Sequence, residues 1–327
     1  MYTDASIMFM YCETPLHVGS GTSLGVIDLP IQRERYTGFP TIAGAGVKGA
    51  LRDWFETSVA TKNRKEEIKT VFGPKKDGSD FAGAISFTDA RLLLFPVRSM
   101  RGLFAWITCP SVLARLKRDV EMVGSSFSLK ENGKDVQLKW PDVGDDQAYG
   151  SQNCHPLIEE KVGNDTKKKV VLEEYVFELK SQSDGTDFTN FATWLSRQLF
   201  PEPENKNSND PLKFWRERFQ KSFLILSDND FSQFAQYSTE VNARVKIGEG
   251  KSTDTKKGGN LFYEENLPQE SVMYSCVLAS NPHKDGTQGI SSSDDVLNLI
   301  LNNARGKRIQ FGGDETLGRG IVRVNFL

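Results

Sequence analysis

The sequence predicts an α+β protein in which strands and helices interleave without the regular period of a doubly wound sheet. Segment 91–97 is short and mostly apolar, which is typical of a strand in a buried sheet. Segment Val47–Ala60 instead places its apolar residues on one face of a helix. Because these two kinds of segment follow each other in irregular order, alternating βα units are disfavoured. Periodicity alone leaves the fold within this class open.

The first 123 residues contain a strand, a long glycine-rich segment, and then helices and strands in mixed order. Segment 13–43 is too long for a simple connection, so we expect a functional loop. Pro110 is expected in the first turn of a helix, where its missing N–H costs nothing. The predicted strands are Ser6–Cys12, Ala84–Thr88, Arg91–Val97 and Leu103–Thr108, and the predicted helices are Val47–Ala60, 64–72 and Pro110–Val123.

The rest of the chain begins with a polar stretch, 124–170, that we interpret as an irregular insertion, with room for a short hairpin. Asp228 is a plausible N-cap for a short helix. Two segments separated by a long Gly/Lys/Thr tip predict a β-hairpin, Thr239–Ile247 with Asn260–Glu264. The other predicted strands are Val170–Leu179, Phe223–Ser227, Ser271–Ser280, Arg308–Phe311 and Gly320–Phe326, and the other predicted helices are Phe188–Phe200, Pro211–Gln220 and Ser293–Ala304.

The composition fits a soluble globular protein of 327 residues in one or two domains. The net charge of −2 excludes a uniformly basic nucleic-acid coat, so any RNA site must come from local clusters of basic residues, each of which could also be a solvated face. Four widely spaced cysteines predict buried thiols in a reducing cytosol, and no apolar run approaches the roughly 20 residues that cross a bilayer. The basic clusters are Arg33/Arg35/Lys48/Arg52, Arg98/Arg101, Arg115/Lys117/Arg118 and Arg319/Arg323.

The segment from His17 to Arg52 carries the strongest functional pattern. Two glycine-rich stretches flank a single acid, Asp28, and the second stretch carries Lys48 where a helix begins. Glycines let a backbone approach a ligand closely, while basic side chains and helix N-termini favour phosphate. These features together predict a site for a phosphate-bearing polymer with one carboxylate beside it.

A second glycine loop, GGDETLGRG at 312–320, has an acidic pair between its glycines and ends with Arg319. Such a loop can be a tight turn between the last two strands. It can also be a backbone cradle for RNA phosphates, with Arg319 as the cation.

The sequence resembles the RAMP superfamily of CRISPR proteins, and within it the backbone subunits of type III-B (Cmr) effector complexes. The resemblance spans nearly the whole chain in one order. It implies a single domain, 1–327, with a modified ferredoxin-like (RRM-like) core and large insertions. Within that domain it implies an active-site loop at 13–43, an insertion at 124–170 and a thumb-like β-hairpin at 239–264. The segments that carry it are DLPIQRERYTGFP (28–40), GAISFTDARLLLFPVRSMRGLFAWITCPSVLARLKRD (83–119), STEVNARVKI (238–247), LFYEENLP (261–268) and GGDETLGRG (312–320).

The resemblance implies a cytoplasmic guide-RNA-binding subunit that cleaves complementary target RNA at regular intervals. The cleavage would use Mg²⁺ or Mn²⁺ held jointly with RNA, because Mg²⁺ takes few protein carboxylates and keeps its waters. The implied partners are the guide CRISPR RNA, the target RNA, further copies of the chain and other Cmr subunits, with no membrane. The implied catalytic residues are Asp28 (also the metal ligand), His17 and Glu264, and the implied RNA-binding residues are Lys48, Arg52, Arg33, Arg319, Gly313 and Gly318.

Several alternatives stay open at this point. The chain could be a non-catalytic guide-RNA scaffold, although the acid at position 28 favours the enzyme. His17 could serve only a loop hydrogen bond, and Glu264 could be a solvent-facing strand acid. The nucleophile could be the adjacent 2′-hydroxyl or a water.

Overall fold

A large mixed sheet forms the centre of the molecule and confirms the predicted α+β class. It contains thirteen described strands, and its main path runs β16-β17-β1-β15-β4-β5-β12-β8-β11-β10-β9, with β2 paired to β4 and β3 paired to β15. The computed structural model describes residues 2–59, 64–75, 81–124, 130–131, 134–135, 141–182, 187–203, 209–246, 260–283 and 289–327. The strands are β1 (Asp4–Cys12), β2 (Thr41–Ile42), β3 (Ile85–Phe87), β4 (Ala90–Arg98), β5 (Phe104–Thr108), β6 (Lys130–Glu131), β7 (Lys134–Asp135), β8 (Gln147–Ser151), β9 (Leu157–Val162), β10 (Asp165–Leu172), β11 (Tyr175–Gln182), β12 (Phe223–Leu226), β13 (Glu240–Lys246), β14 (Asn260–Asn266), β15 (Val272–Ala279), β16 (Arg308–Gln310) and β17 (Ile321–Phe326).

Helices pack against this sheet and bury their apolar faces. The first helix begins at Gly44, three residues before its predicted start, and continues as a π-helical turn, Phe55–Val59. Pro110 occupies the first turn of its helix, as predicted. None of the described helices is long and apolar enough to span a membrane. The helices are α1 (Gly44–Trp54), α2 (Lys65–Phe72), α3 (Pro110–Val123), α4 (Asp187–Leu199), α5 (Lys213–Ser222), α6 (Asp228–Tyr237) and α7 (Ser293–Ala304).

The N-cap predicted for α6 is wrong by one residue. Ser227 is the cap, and its hydroxyl accepts a hydrogen bond from the amide of Asp230 at 3.1 Å. The carboxylate of Asp228 instead accepts from the amide of Ser111, in the first turn of α3, at 2.9 Å. Asp228 therefore satisfies an otherwise unpaired helix N–H on a neighbouring element.

The polar stretch that we expected to be irregular contributes regular strands to the main sheet. β8, β9 and most of β10 lie within it. The single strand predicted at 170–179 is also wrong, because the chain turns between β10 and β11 at Glu173, which has a φ of 51°. Charged residues on exposed strand faces hid the strand pattern of this region.

β13 and β14 form a separate antiparallel hairpin with Asn242 opposite Glu264. Side chains of opposite register positions share a face, so the hairpin has two different faces. One face carries exposed apolar side chains, and the other carries Asn242, Arg244 and Glu264 together with the ring of Phe262. The predicted tip, 248–259, and the last residue of the predicted first strand, Ile247, lie outside the described residues. The exposed apolar side chains are Val241, Val245, Leu261 and Tyr263.

Candidate catalytic and nucleic-acid site

Strand β14 brings the predicted active-site loop and the hairpin together. One edge of β14 pairs with β13, and its other edge takes hydrogen bonds from loop 13–43. The amide of Leu29 donates to the carbonyl of Tyr263, and the amide of Glu265 donates back to the carbonyl of Leu29, both at 3.0 Å. Leu16 and Leu267 exchange a further pair of backbone bonds at 2.9 Å. The loop is therefore fixed to the root of the hairpin.

Asp28 is held at this strand by one of its two carboxylate oxygens. Oδ2 accepts a hydrogen bond from the amide of Tyr263 at 2.7 Å, and the backbone carbonyl of Asp28 accepts from the amide of Ser23 at 2.9 Å. Among the described residues, no side chain or backbone group bonds to Oδ1 of this half-buried residue. One oxygen orients the carboxylate and the other is available to a ligand.

His17 is buried, with 9% of its surface exposed, beside the same strand. Nδ1 lies 2.7 Å from the carbonyl oxygen of Glu265, and because a carbonyl only accepts, Nδ1 is the protonated nitrogen. In the tautomer that carries its proton only on Nδ1, Nε2 is an acceptor. A Cβ atom at Gly19 would lie 2.9 Å from Nε2, so glycine at position 19 keeps that side of the ring open. His17 thus makes the loop hydrogen bond, and its Nε2 bonds to none of the residues that the structure describes.

Glu264 lies on β14 with a side chain only 1% exposed, so the alternative of a solvent-facing strand acid is wrong. It forms a salt bridge with Arg244 of β13, and Arg244 forms a second one with Asp314 at 2.9 Å. Burial pushes the pKa of Asp314 up, but contacts with Glu264 and Arg244 and the nearby His17 outweigh burial and hold that pKa below its usual value. The salt bridge between Asp314 and Arg244 thereby links the glycine loop 312–320 to the β13–β14 hairpin.

Arg244 and Asp314 were missed as site residues by sequence reasoning. The strand alternation contained a signal for Arg244, because positions 242, 244, 262 and 264 share one face of the paired hairpin. The guanidinium of Arg244 also lies over the ring of Phe262, 5.3 Å from its centroid. Nothing in the sequence linked Asp314, fifty residues after the hairpin, to this face.

The adjacent acid, Glu265, points to the opposite face of β14 and is 3% exposed. Its carboxylate receives the guanidinium of Arg33 and the hydroxyl of Thr239, the latter at 2.6 Å. Arg33 also donates to the carbonyls of Gly38 at 2.7 Å and Ala235 at 3.1 Å. Arg33 therefore fastens loop 13–43 to the end of α6, and its contact with RNA stays a prediction.

Lys48 and Arg52 on α1 are also engaged inside the protein. Nζ of Lys48 donates to the carbonyl of Ile85 at 2.9 Å. Burial, and then the charge of Arg52, lowers the pKa of Lys48. Arg52 donates to Glu56 and to the carbonyl of Gly73, both at 2.9 Å. The predicted RNA contacts of these two residues stay predictions.

The glycine loop at 312–320 turns tightly against His17. Gly312 has a φ of +74°, and a Cβ there would lie 2.2 Å from the carbonyl oxygen of His17. The amide of Gly313 donates to that same oxygen at 2.8 Å, whereas Gly318, at φ +73°, faces open space. The half-buried Arg319 has no hydrogen bond or salt bridge from its side chain to the described residues, although its charge opposes the rise that burial causes in the pKa of Glu240. The loop is a tight turn and also presents a cation.

Among the described residues, no group of three or more His, Cys, Asp or Glu side chains is arranged to hold a metal ion. A cation enclosed by protein ligands alone does not fit this region. A single free carboxylate oxygen at Asp28 fits a cation whose remaining ligands are water and phosphate.

Comparison with known proteins identifies relatives over almost the full length. The family model of the RAMP superfamily matches residues 9–323. The CRISPR system Cmr endoribonuclease Cmr4 of Pyrococcus furiosus is 34% identical over 321 residues, which cover 98% of this chain and 95% of that protein. The crystal structure of oligomeric Cmr4 from Pyrococcus furiosus superposes with a TM-score of 0.67 at 29% identity, covering 99% of this chain and 98% of that one.

A chain of the type III-B Cmr-β complex, solved by cryo-EM bound to cognate target RNA, shares the fold with a TM-score of 0.66 at 22% identity and covers 99% and 98% of the two chains. The likeness to Cmr4 structures confirms the predicted α+β fold with its modified ferredoxin-like core. Family model, sequence identity and fold agree over the same residues. The chain belongs to the RAMP superfamily, and within it to the Cmr4 family.

Proposed function

We propose that this chain is a guide-RNA-binding backbone subunit of a type III-B Cmr complex, and that it cleaves target RNA complementary to the guide. The observation that carries this proposal is that Asp28 and His17 are both held at β14, each with one polar side-chain atom, Oδ1 and Nε2, that bonds to none of the described residues. Kinship with a Cmr endoribonuclease supports the same activity. The hairpin 239–264 would act as the thumb, and successive copies along one guide would cut at regular intervals.

A divalent cation fits the proposal as a ligand shared between Asp28 and RNA. When bound, Mg²⁺ or Mn²⁺ would neutralise negative charge that develops on the scissile phosphate. Asp28 would supply the one protein oxygen, and the hydrogen bond from Tyr263 keeps that carboxylate in place.

His17 is suited to move a proton during cleavage. Its Nε2 would accept the proton of the attacking hydroxyl as that oxygen bonds to phosphorus, while the bond from phosphorus to the 5′-oxygen breaks and the 5′-oxygen takes a proton from water. The carbonyl of Glu265 would stabilise the resulting imidazolium through Nδ1–H. Glu264 would act indirectly. Its carboxylate is paired with Arg244 and holds that side chain in position on the hairpin beside the site.

The proposed RNA contacts divide into direct and indirect ones. The side chain of Arg319 bonds to none of the described residues and the backbone at Gly318 faces open space, so both would contact phosphate directly. Lys48, Arg52 and Arg33 would act mainly by shaping the backbone that RNA meets, and Gly313 by seating the loop on His17. We propose a cytoplasmic location, which the four free, buried thiols support.

The test replaces Asp28 by Asn, which is nearly isosteric but lacks the charge that binds a cation. Complexes rebuilt with Asp28→Asn should keep guide RNA and lose cleavage of a guide-complementary RNA, and EDTA should produce the same loss in wild type. Asp53→Asn, an exposed acid on α1, is the matched control and should cut normally. Normal cutting by Asp28→Asn complexes would move catalysis elsewhere, and a wild-type complex that never cuts would favour the scaffold.

A further inference from the structure

A second basic site lies on the main body of the protein, outside the contacts described for β14. It is a cavity of about 490 Å³ at the turn between β4 and β5. Three separate segments meet there: the turn itself, the connection between β8 and β9, and helix α5. Its lining residues are Arg101, Gly102, Leu103, Asn153, Cys154, His155, Leu157 and Arg218.

The three segments interlock through their backbones. Gly102 has a φ of +80°, and a Cβ there would lie 2.8 Å from the Cβ of His155, so the turn rests directly on that residue. The guanidinium of Arg218 donates to the carbonyl of Gly102 at 2.7 Å, and that of Arg101 donates to the carbonyl of Leu157 at 2.8 Å. Both arginines are thus oriented before any ligand arrives.

The charge of these two arginines is not cancelled. No described residue that lines the cavity is an acid, and neither guanidinium forms a salt bridge with the described residues. Arg218 is half-buried beneath the ring of Phe104, 4.7 Å from its centroid. Several other half-buried arginines of the chain are paired with carboxylates, namely Arg33, Arg52, Arg91, Arg115, Arg244 and Arg323. A partly desolvated cation without a counter-ion is unfavourable, and a bound anion would remove the penalty.

Neighbouring groups add to the positive potential. Nδ1 of His155 lies 3.2 Å from the hydroxyl of Ser222. Burial, followed by the charges of Arg218 and Lys221, lowers the pKa of His155, so both cations lie close to its ring. Lys168 is near enough to Cys154 to act on its thiol electrostatically. In a chain of net charge −2, this is a local excess of positive charge.

We propose that this cavity binds a phosphate group, carried by RNA or by a small nucleotide, with Arg101 and Arg218 as the charged donors. Guanidinium groups suit phosphate because their planar N–H pairs match its oxygens. The RNA source rests on the proposed function and would give the RNA a contact on the main body in addition to β14. The phosphate chemistry itself stands on the cavity alone.

The first experiment follows His155 by NMR in the full-length chain, with its imidazole signal assigned from a His155→Gln sample. Inorganic phosphate should raise the pKa of His155 in wild type and leave it unchanged in Arg101→Gln/Arg218→Gln, because a bound anion stabilises the imidazolium. A single-stranded RNA should do the same at lower concentration if RNA is the source. A shift by phosphate or a mononucleotide alone identifies a small-anion site, and no shift by either ligand overturns the proposal.

The second experiment measures RNA affinity over a range of KCl concentrations. The double variant should reduce the salt slope by roughly 0.7 units, because that is the contribution of one neutralised phosphate of single-stranded RNA. Arg98→Gln, an exposed arginine on β4 that does not line the cavity, is the matched control and should change the slope less. If Arg98→Gln reduced the salt slope as much as the double variant, the effect would come from diffuse surface charge, and this result would overturn the proposed phosphate site.

The results of these two experiments can be distinguished from a folding defect and from a loss of catalysis. Arg101 is exposed, so Arg101→Gln alone carries the test if the double variant fails to fold. Neither readout depends on RNA cleavage. The proposed phosphate site can therefore be disproved while Asp28→Asn still abolishes cleavage. Equally, the phosphate site can be supported while Asp28→Asn complexes still cleave.

Discussion

The surroundings of β14 and the cavity at the β4–β5 turn both contain arginines, but the charge of these arginines is compensated at β14 and not at the cavity. At β14, Arg244 and Arg33 each meet a buried glutamate, Glu264 and Glu265. At the cavity, the hydrogen bonds of Arg101 and Arg218 to the described residues go to backbone carbonyls, and neither arginine pairs with a described carboxylate. A carboxylate cancels the charge of a guanidinium, whereas a carbonyl orients the group and leaves the charge in place. The number of basic residues in a segment is therefore a poor guide to how much positive charge remains available to an anion, and the partners of those residues are a better one.

The largest effect expected from this difference is on stability. Arg244→Met leaves the buried carboxylate of Glu264 without its cation and should cost roughly 3–5 kcal/mol of unfolding free energy. Arg218→Met removes a cation that neutralises no described acid and should cost less than about 1.5 kcal/mol. Urea unfolding of the two variants beside wild type measures both costs.

The double variant Arg244→Met/Glu264→Leu serves as the control, since it removes both charges of the pair. It should be clearly more stable than Arg244→Met alone. Equal losses for Arg244→Met and Arg218→Met would contradict the distinction between the two regions.

A second prediction tests whether the chemistry is confined to the β14 region. Gly19→Ala would place a methyl group against Nε2 of His17 and should slow single-turnover cleavage at least tenfold. Gly25→Ala is the matched control, because its Cβ would meet only the hydroxyl of Ser23, at 3.3 Å. Cleavage at the wild-type rate by Gly19→Ala complexes would remove Nε2 from the reaction.

The smallest expected effect is a pH dependence that arises in the cavity. His155 has a folded pKa below its usual 6.5, because of burial and then the nearby Arg218 and Lys221. The unfolded chain therefore binds more protons between these two values, so the contribution of His155 to stability is present above pH 6.5 and falls as the pH drops.

Because the ring is largely solvent-screened, the change between pH 7.5 and 5.5 should be only a few tenths of a kcal/mol. Urea unfolding at both pH values should show a steeper loss for wild type than for His155→Gln. Identical pH dependence in the two proteins would mean that the cations do not act on the ring.

Elements with strong local signals could be predicted from the sequence. Helix α7 has the predicted bounds, Ser293–Ala304, and its capping box between Ser292 and Asp295 explains the sharp start. Strand β15 lies within the predicted Ser271–Ser280. Strands β8 to β11 could not be separated, because charged residues on the exposed faces of β9 and β10 hid the hydrophobic alternation and because β8 pairs with β11 and β12, which are distant in sequence.

The residues of the candidate site likewise fall into those that local sequence could identify and those whose role depends on contacts distant in sequence. Asp28 and His17 stood out because their residue types are unusual within a glycine-rich loop, and both lie at β14. The roles of Arg33 as a fastener and of Arg244 as a bridge depend on contacts with residues 20 to more than 200 positions away. Composition and spacing describe charge, but only the fold decides which charges meet.

The apolar face of the β13–β14 hairpin has a consequence for handling the isolated chain. Val241, Val245, Leu261 and Tyr263 are exposed together on a two-stranded sheet whose backbone edge at β13 pairs with no other described strand. Exposed strand edges with apolar side chains promote self-association. We therefore expect concentrated preparations of the lone chain to become turbid on storage, and co-purification with a binding partner that covers this face to extend their shelf life.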